Sequence, residues 1–591
     1  MLTDLEKNAI RDHYQNIGKS LPGFRPRAAQ REMIAAIANA FSRSQSRVEG
    51  EEAPKREGES IAVIEGPTGV GKSLAYLLAG GIMAQTRGKR LVVSSATVAL
   101  QEQLVHRDLP FLVAHSGLEM TFALAKGRGR YLCPYKLYQL TQSNAQQNLL
   151  GMEAPTVLWE SKPRPEELQM LRDLADEFAA RRFNGDRDIW PQKIDDAVWF
   201  KITNDRHGCL KAACPNRPEC PFYLARDTLE SVDVVVANHD LLLADIGMGG
   251  GVILPAPENS FYCIDEAHHL PKKALSQFAA EHSWNQAVWT LEKLPAISDK
   301  IAAVADKAEA ANLADEAAAS LLESFNEWSF QLADEPALAP SEGSESVWLW
   351  QDGKIPESLE LLVSNTAVAA RSLLKQLYTL NDALAATRRD KDQDSALIDR
   401  LSGEFGMFIA RAEQISAVWD LLSTVPPEGE APLAKWITRR ISDKNDYFFN
   451  ASPISSASHL ANGLWRRAAG AVLTSATLQS LGSFDLLLRQ TGLVWLPATT
   501  TLALPSPFDF DAQGELYIPP LAASPKDAAA HTDAIVEWLP RLVSAEEAIG
   551  TLVLFSSRKQ MQDVALRLAA DYLPLLLVQG EVPKAVLLQK H

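Results

Sequence analysis

Short apolar, β-branched runs alternate with helical periodicity along much of the chain. Residues 61–64, 91–95, 122–124, 232–236, 262–264 and 471–474 each read as a buried strand. Strands of this kind separated by helices predict an α/β fold with a parallel sheet covered on its faces. A weaker set at 516–518, 551–555 and 575–578, with a helical stretch at 559–570, reads as the opening of a second α/β domain. Two long stretches break the strand rhythm. The segment from Cys133 to Cys220 is polar, helix-prone and rich in Trp and Arg, and residues 275–445 repeat Ala, Leu and Glu with almost no strand signal. Both read as helical insertions into the first sheet.

A chain of 591 residues holds about four structural units at roughly 150 residues each. Apolar residues make up 46% and charged residues 22%, which excludes disordered, collagen-like and disulfide-scaffold classes. The 74 acidic residues outnumber the 58 basic ones by 16, so any polyanion must be met by a local basic groove. No apolar run is long enough to span a membrane and the first residues lack a signal-peptide plan, so no membrane contact and a cytoplasmic location are expected. Five cysteines cannot form a dense disulfide framework, which turns attention to their spacing.

Directly after the first strand stands Gly66-Pro67-Thr68-Gly69-Val70-Gly71-Lys72-Ser73, followed by a helical pattern. This is a phosphate-binding loop in its required context. Glycines let backbone N–H groups wrap a phosphate chain, Lys72 neutralises the β and γ phosphates, and Ser73 ligates Mg²⁺. At the end of the strand at 262–264, Asp265-Glu266-Ala267-His268 offers a carboxylate for the metal and a second as base for the attacking water. His268 is expected to relay between nucleotide and nucleic acid. The hydroxyls of Thr474-Ser475-Ala476-Thr477 can bond to that acidic motif. Upstream, Arg27 and Gln30 are candidates for reading the adenine, with solvated helix-start residues as the bland alternative.

Cys133, Cys209, Cys214 and Cys220 leave 75, 4 and 5 residues between successive members. By spacing alone an iron–sulfur cluster, a zinc site and scattered free thiols all stay open. Cys263, inside an apolar strand, reads as an inert buried thiol. Basic and aromatic residues interleave at Lys126 to Tyr131, at Lys435-Trp436 with Arg439-Arg440, and at Trp465-Arg466-Arg467, a pattern suited to single-stranded nucleic acid.

Taken in order, the phosphate loop, Ala96 to Leu104, Lys126 to Pro134, Val236 to Leu242, Asp-Glu-Ala-His and Thr-Ser-Ala-Thr-Leu make a set that resembles the DinG family of bacterial iron–sulfur DNA helicases, relatives of XPD in superfamily 2. The resemblance implies two RecA-like parallel-sheet motor domains, the second incomplete, with an iron–sulfur insertion and a helical arch insertion. The expected boundaries are 1–132, 223–274 and 446–478 for the first motor domain, 133–222 for the cluster insertion, 275–445 for the arch and 479–591 for the partial second motor domain. It implies ATP, Mg²⁺ and a four-iron four-sulfur cluster as cofactors, with Cys133, Cys209, Cys214 and Cys220 as cluster ligands. It also implies 5′ to 3′ movement on single-stranded DNA and opening of forks, displacement loops and RNA–DNA hybrids in repair and recombination. A monomer is the default expectation.

The family's Gly-rich DNA motif and its Gln-Gly-Arg motif do not occur before His591. The chain therefore reads as truncated, with ATP and DNA binding retained and hydrolysis impaired. A phosphate loop at residue 66 leaves no room for an upstream exonuclease. Two alternatives stand beside this reading: a related YoaA-type iron–sulfur helicase, and a non-enzymatic, ATP-gated DNA-binding fragment.

Overall fold

The computed structural model describes residues 1–44, 57–141, 164–192, 194–339, 345–388, 395–426, 431–441, 445–521, 523–543, 551–580 and 587. The chain divides into two compact units, Met1–Asp186 with Ala197–Pro505, and Arg187–Asp196 with Ser506–His591.

The larger unit carries strands β1 (Ile61–Glu65), β2 (Arg90–Ser95), β3 (Phe122–Leu124), β4 (Val234–Asn238) and β5 (Ser260–Asp265). Next come β6 (Ala280–Ser283), β7 (Glu345–Leu349), β8 (Leu433–Arg440) and β9 (Asp446–Pro453), then β10 (Gly470–Ser475) and β11 (Thr500–Ala503). All but β6 to β9 form one sheet in the order β11-β1-β10-β5-β2-β4-β3, every pairing parallel. Side chains alternate between its two faces, as strand pleating requires. Ala62, Ile64, Val93, Val236, Cys263 and Val472 enter one core, while Ile61, Val63, Val92, Val235, Ile264 and Leu473 enter the other. Helices α1 (Asp4–Ser20), α2 (Ala28–Ser42) and α3 (Lys72–Thr86) cover the first face. A reciprocal capping box starts α1: Glu6 N–H donates to Thr3 Oγ1 and the Glu6 carboxylate accepts from Thr3 N–H. Cys263 is fully buried, and burial pushes its thiol far up, as an inert core residue requires.

Residues 275–445 depart from the helical expectation. Long helices do dominate, at Trp284–Ala305, Ala308–Asp334, Glu360–Thr387 and Ser395–Ser423. They pack, however, on an antiparallel sheet in the order β6-β9-β8-β7. Strand β9, which the sequence reading assigned to the motor domain, pairs with β8 and β6 and shares the insertion's core through Phe449 and Ala451. These strands mix polar and apolar residues and sit between helix-rich segments, so their composition hides them. The sheet edge strand β11 was also not anticipated.

The smaller unit contains the helices Ala528–Leu542 and Arg558–Arg567. The strands expected at 516–518, 551–555 and 575–578 are not formed among the described residues. Leu516, Ile518, Leu552 and Leu554 are exposed, and among the described residues no neighbouring strand completes a ladder there. Among the described residues no helix is long and apolar enough to cross a membrane.

Candidate nucleotide site and thiol pocket

Parallel pairing brings the carboxyl ends of β1, β10 and β5 together, with Glu65 opposite Ser475 and Thr474 opposite Asp265. Ligands of open α/β sheets bind at such an edge. The loop after β1 turns through Gly69 and Gly71 at φ 88° and 84°. At Gly71 a Cβ would lie 2.2 Å from Gln30 Nε2, so only glycine fits. Lys72 opens α3 and its Nζ donates to the Gly66 carbonyl at 3.0 Å; Val70 N–H donates to the Pro67 carbonyl at 3.3 Å. Thr68 and Ser73 lie on the same loop and first helical turn.

Gln30 is almost fully buried and both ends of its amide are engaged. Nε2 donates to the Gly71 carbonyl at 3.1 Å and Oε1 accepts from the Tyr14 hydroxyl at 2.9 Å. It thus braces the phosphate loop as well as bordering the recess formed with Leu21, Phe24, Arg25 and Arg27. Arg27 is exposed at that recess.

Asp265 ends β5 and is largely buried; its Oδ2 accepts from the Tyr76 hydroxyl at 3.1 Å. Burial, aided by the neighbouring Glu266 charge, pushes its carboxyl up to about 6, against the opposing pull of Lys72 and the Tyr76 hydrogen bond. Glu266 adopts a left-handed backbone, φ 53°. Its Oε2 accepts from Ser475 Oγ at 2.8 Å, and the same hydroxyl lies 2.6 Å from His268 Nδ1. Ser475 therefore links the base candidate to the histidine, the contact anticipated for this motif. Burial and the adjacent His269 hold His268 below its ordinary pKa. Glu65 closes the arrangement, its Oε2 accepting from Leu478 N–H at 2.6 Å and Gln479 N–H at 2.7 Å.

Sequence reading missed Tyr14, Glu65, Tyr76 and His239. Tyr76 sits one turn beyond Lys72 on the inward face of α3, a spacing that could have flagged it; the others depend on contacts distant in sequence.

Cys133, Cys209, Cys214 and Cys220 line one pocket together with Arg128, Tyr135, Asn204 and Tyr223. Donors point at the sulfurs: Arg128 Nη1 lies 2.9 Å and Lys211 N 3.4 Å from Cys209 Sγ, and Asn204 Nδ2 is 3.7 Å from Cys133 Sγ. Burial raises the thiols of Cys133, Cys214 (to about 11) and Cys220, and neighbouring cysteines raise them further. Four converging cysteine sulfurs with donors around them are a set that a cationic group would hold in the ligating form. Among the described residues, no three His, Cys, Asp or Glu are grouped as ligands of a single metal ion.

The basic and aromatic positions expected to meet nucleic acid are mostly engaged inside the protein. Lys126 is buried between Asp186 (2.7 Å) and Glu102 (3.2 Å), and Lys435 is buried on the carbonyls of Leu422 and Thr424. Arg439 donates to the Leu338 carbonyl, Arg440 pairs with Glu281 and Glu345, Arg467 pairs with Glu258, and Trp465 is buried with its Nε1–H on the Thr491 carbonyl. Clustering in sequence could not reveal these partners, which lie on other elements.

No protein-family model matches the chain. A curated relative named ATP-dependent DNA helicase DinG, from Photobacterium profundum, is 38% identical over 597 residues, covering 100% of this chain and 82% of its own length. Its namesake from Escherichia coli (strain K12) is 32% identical over 603 residues, covering 100% and 80%. A solved structure titled "XPD_Helicase" aligns over 92% of this chain and 75% of its own at 15% identity and a TM-score of 0.39.

Proposed function

Because the chain belongs to the DinG family of ATP-dependent DNA helicases, shown by relatives matched along its whole length, we propose that it hydrolyses ATP at the β1–β5–β10 edge to move 5′ to 3′ along single-stranded DNA. The observation that carries the ATPase reading is the convergence of Lys72, Asp265, Glu266, Ser475 and His268 at one sheet edge.

In this reading the backbone N–H groups of residues 66–73 and the α3 N-terminus hold the phosphates, with Lys72 leaving Gly66 to meet them. Arg27 and the recess beside Gln30 receive the adenine. Asp265 and Ser73 would hold Mg²⁺, which would supply charge neutralisation on the phosphates. Glu266 accepts a proton from the attacking water, and His268 reports the result through Ser475.

Cys133, Cys209, Cys214 and Cys220 would hold a four-iron four-sulfur cluster, whose chemistry there is cross-linking of the insertion by four thiolates. The substrates follow the family resemblance: forked DNA, displacement loops and RNA–DNA hybrids, met by a cytoplasmic monomer. A strand-displacement assay on duplexes carrying either a 5′ or a 3′ single-stranded tail tests the direction. Opening of the 5′-tailed duplex is expected, and opening of the 3′-tailed duplex alone would overturn it.

A further inference from the structure

Next to the hydrolysis motif lies a buried imidazole that the mechanism above leaves unused. His239 opens the helix His239–Gly247 directly after β4 and has no exposed surface. Register explains its place. Strand β2 runs between β4 and β5, with Ser95 opposite Asn238 and Ser94 opposite Ile264. The residues leaving these strands, His239 on one side and Asp265 with Glu266 on the other, therefore flank the same end of β2.

Ser94 Oγ lies 2.7 Å from His239 Nδ1, while the other ring nitrogen, Nε2, is buried and closes no hydrogen bond of normal geometry. The backbone of Glu266 nevertheless lies close enough to act on the ring as a hydrogen-bonding neighbour. Glu266 is held in a left-handed conformation, φ 53° and ψ 45°, which a non-glycine residue keeps only where its surroundings impose it. An unsatisfied buried nitrogen beside a strained backbone marks an arrangement short of one bond.

We propose that His239 is a positioning residue for hydrolysis: with Nδ1 accepting from Ser94 and Nε2–H directed at the Glu266 carbonyl, it holds the left-handed turn where the Glu266 carboxylate meets the attacking water. Burial keeps the ring neutral, near pKa 4, which leaves one nitrogen as acceptor and one as donor. This inference rests on the reading of Glu266 as the base.

The test measures kcat and KM for ATP in saturating single-stranded DNA for the wild type, Lys72→Ala, His239→Leu, His239→Gln and Ser94→Ala, with thermal melting of each. His239→Leu is expected to lose about 10- to 100-fold in kcat, the range typical of orienting partners at a reactive site, with KM nearly unchanged. His239→Gln, whose amide reaches toward the Nε2 position, recovers most of that loss. Ser94→Ala lowers kcat several-fold and adds little on top of His239→Leu, because both act through one bridge. An unchanged kcat in His239→Leu overturns the proposal. So does a parallel loss of KM, kcat and melting temperature that His239→Gln does not restore, because His239 would then only support the fold. If the wild type itself shows no turnover that Lys72→Ala abolishes, the functional reading fails and takes this inference with it; wild-type turnover with inert His239 variants sinks the inference alone.

Discussion

Ser475 joins three groups through one residue: its hydroxyl donates to Glu266 Oε2 and meets His268 Nδ1, and its carbonyl accepts from Gly66 N–H at 2.9 Å. A hydrogen bond to a charged group contributes about 1.5–3 kcal/mol. Ser475→Ala should thus lower DNA-stimulated ATP turnover by on the order of tenfold while leaving nucleotide affinity, read by titration with a non-hydrolysable analogue, nearly unchanged. A different residue sets a pH limit. His282 is buried against Phe325, Phe449 and Trp419, and burial depresses it from 6.5 to about 4. The unfolded chain binds that proton more readily than the folded one, so the stability contribution is fully present above pH 6.5 and is lost as pH falls toward 4. At about 1.4 kcal/mol per pKa unit the loss is about 3 kcal/mol. Melting temperatures of the wild type should fall between neutral and mildly acid pH by more than those of His282→Phe; equal falls would contradict this role. At this scale the sequence was legible where chemistry is local. Lys72, Asp265 and Ser475 sit in contiguous motifs, whereas the Tyr14–Gln30 brace and the ion pairs of Lys126 join residues 16 to 60 positions apart and leave no local pattern.

Between elements, a close backbone approach joins the cysteine-bearing segment to the helix Ser395–Ser423. A Cβ on Gly406 would lie 2.5 Å from Gly208 N, one residue before Cys209. Around that contact Arg206 and His207 both meet Glu413, and Arg388 donates to the Ala213 carbonyl. Gly406→Ala should force the two apart, lowering the melting temperature and weakening retention of the proposed cluster, read as visible absorbance per protein after anaerobic purification. An unchanged absorbance would show that this contact does not position the thiols. Element types followed from periodicity wherever the pattern was long. The six anticipated strands of the central sheet formed, most of them as apolar runs buried on both faces, and helix-prone Ala and Leu repeats formed the long helices. The antiparallel strands at 280–283, 345–349, 433–440 and 446–453 were hidden because their composition is mixed rather than a continuous apolar run, and because the first two are short and pair with strands far along the chain.

For the molecule as a whole, a net charge of −16 and the internal pairing of Lys126, Lys435, Arg440 and Arg467 mean that DNA must be met by a local patch of other cations. The thiol pocket and the nucleotide edge are separate sites in one unit, so they should fail separately. If the proposed cluster is held there, Cys133→Ser loses its chromophore and strand displacement, while nucleotide affinity changes by about tenfold or less. Retention of the chromophore would show that Cys133 is not a ligand. The central claim is that the β1–β5–β10 edge hydrolyses ATP in response to DNA. It is tested most directly by ATP hydrolysis of the anaerobically purified protein with and without single-stranded DNA, beside Lys72→Ala. DNA-stimulated turnover that Lys72→Ala abolishes is the predicted result; turnover that persists in Lys72→Ala, or that DNA leaves unchanged, would contradict it.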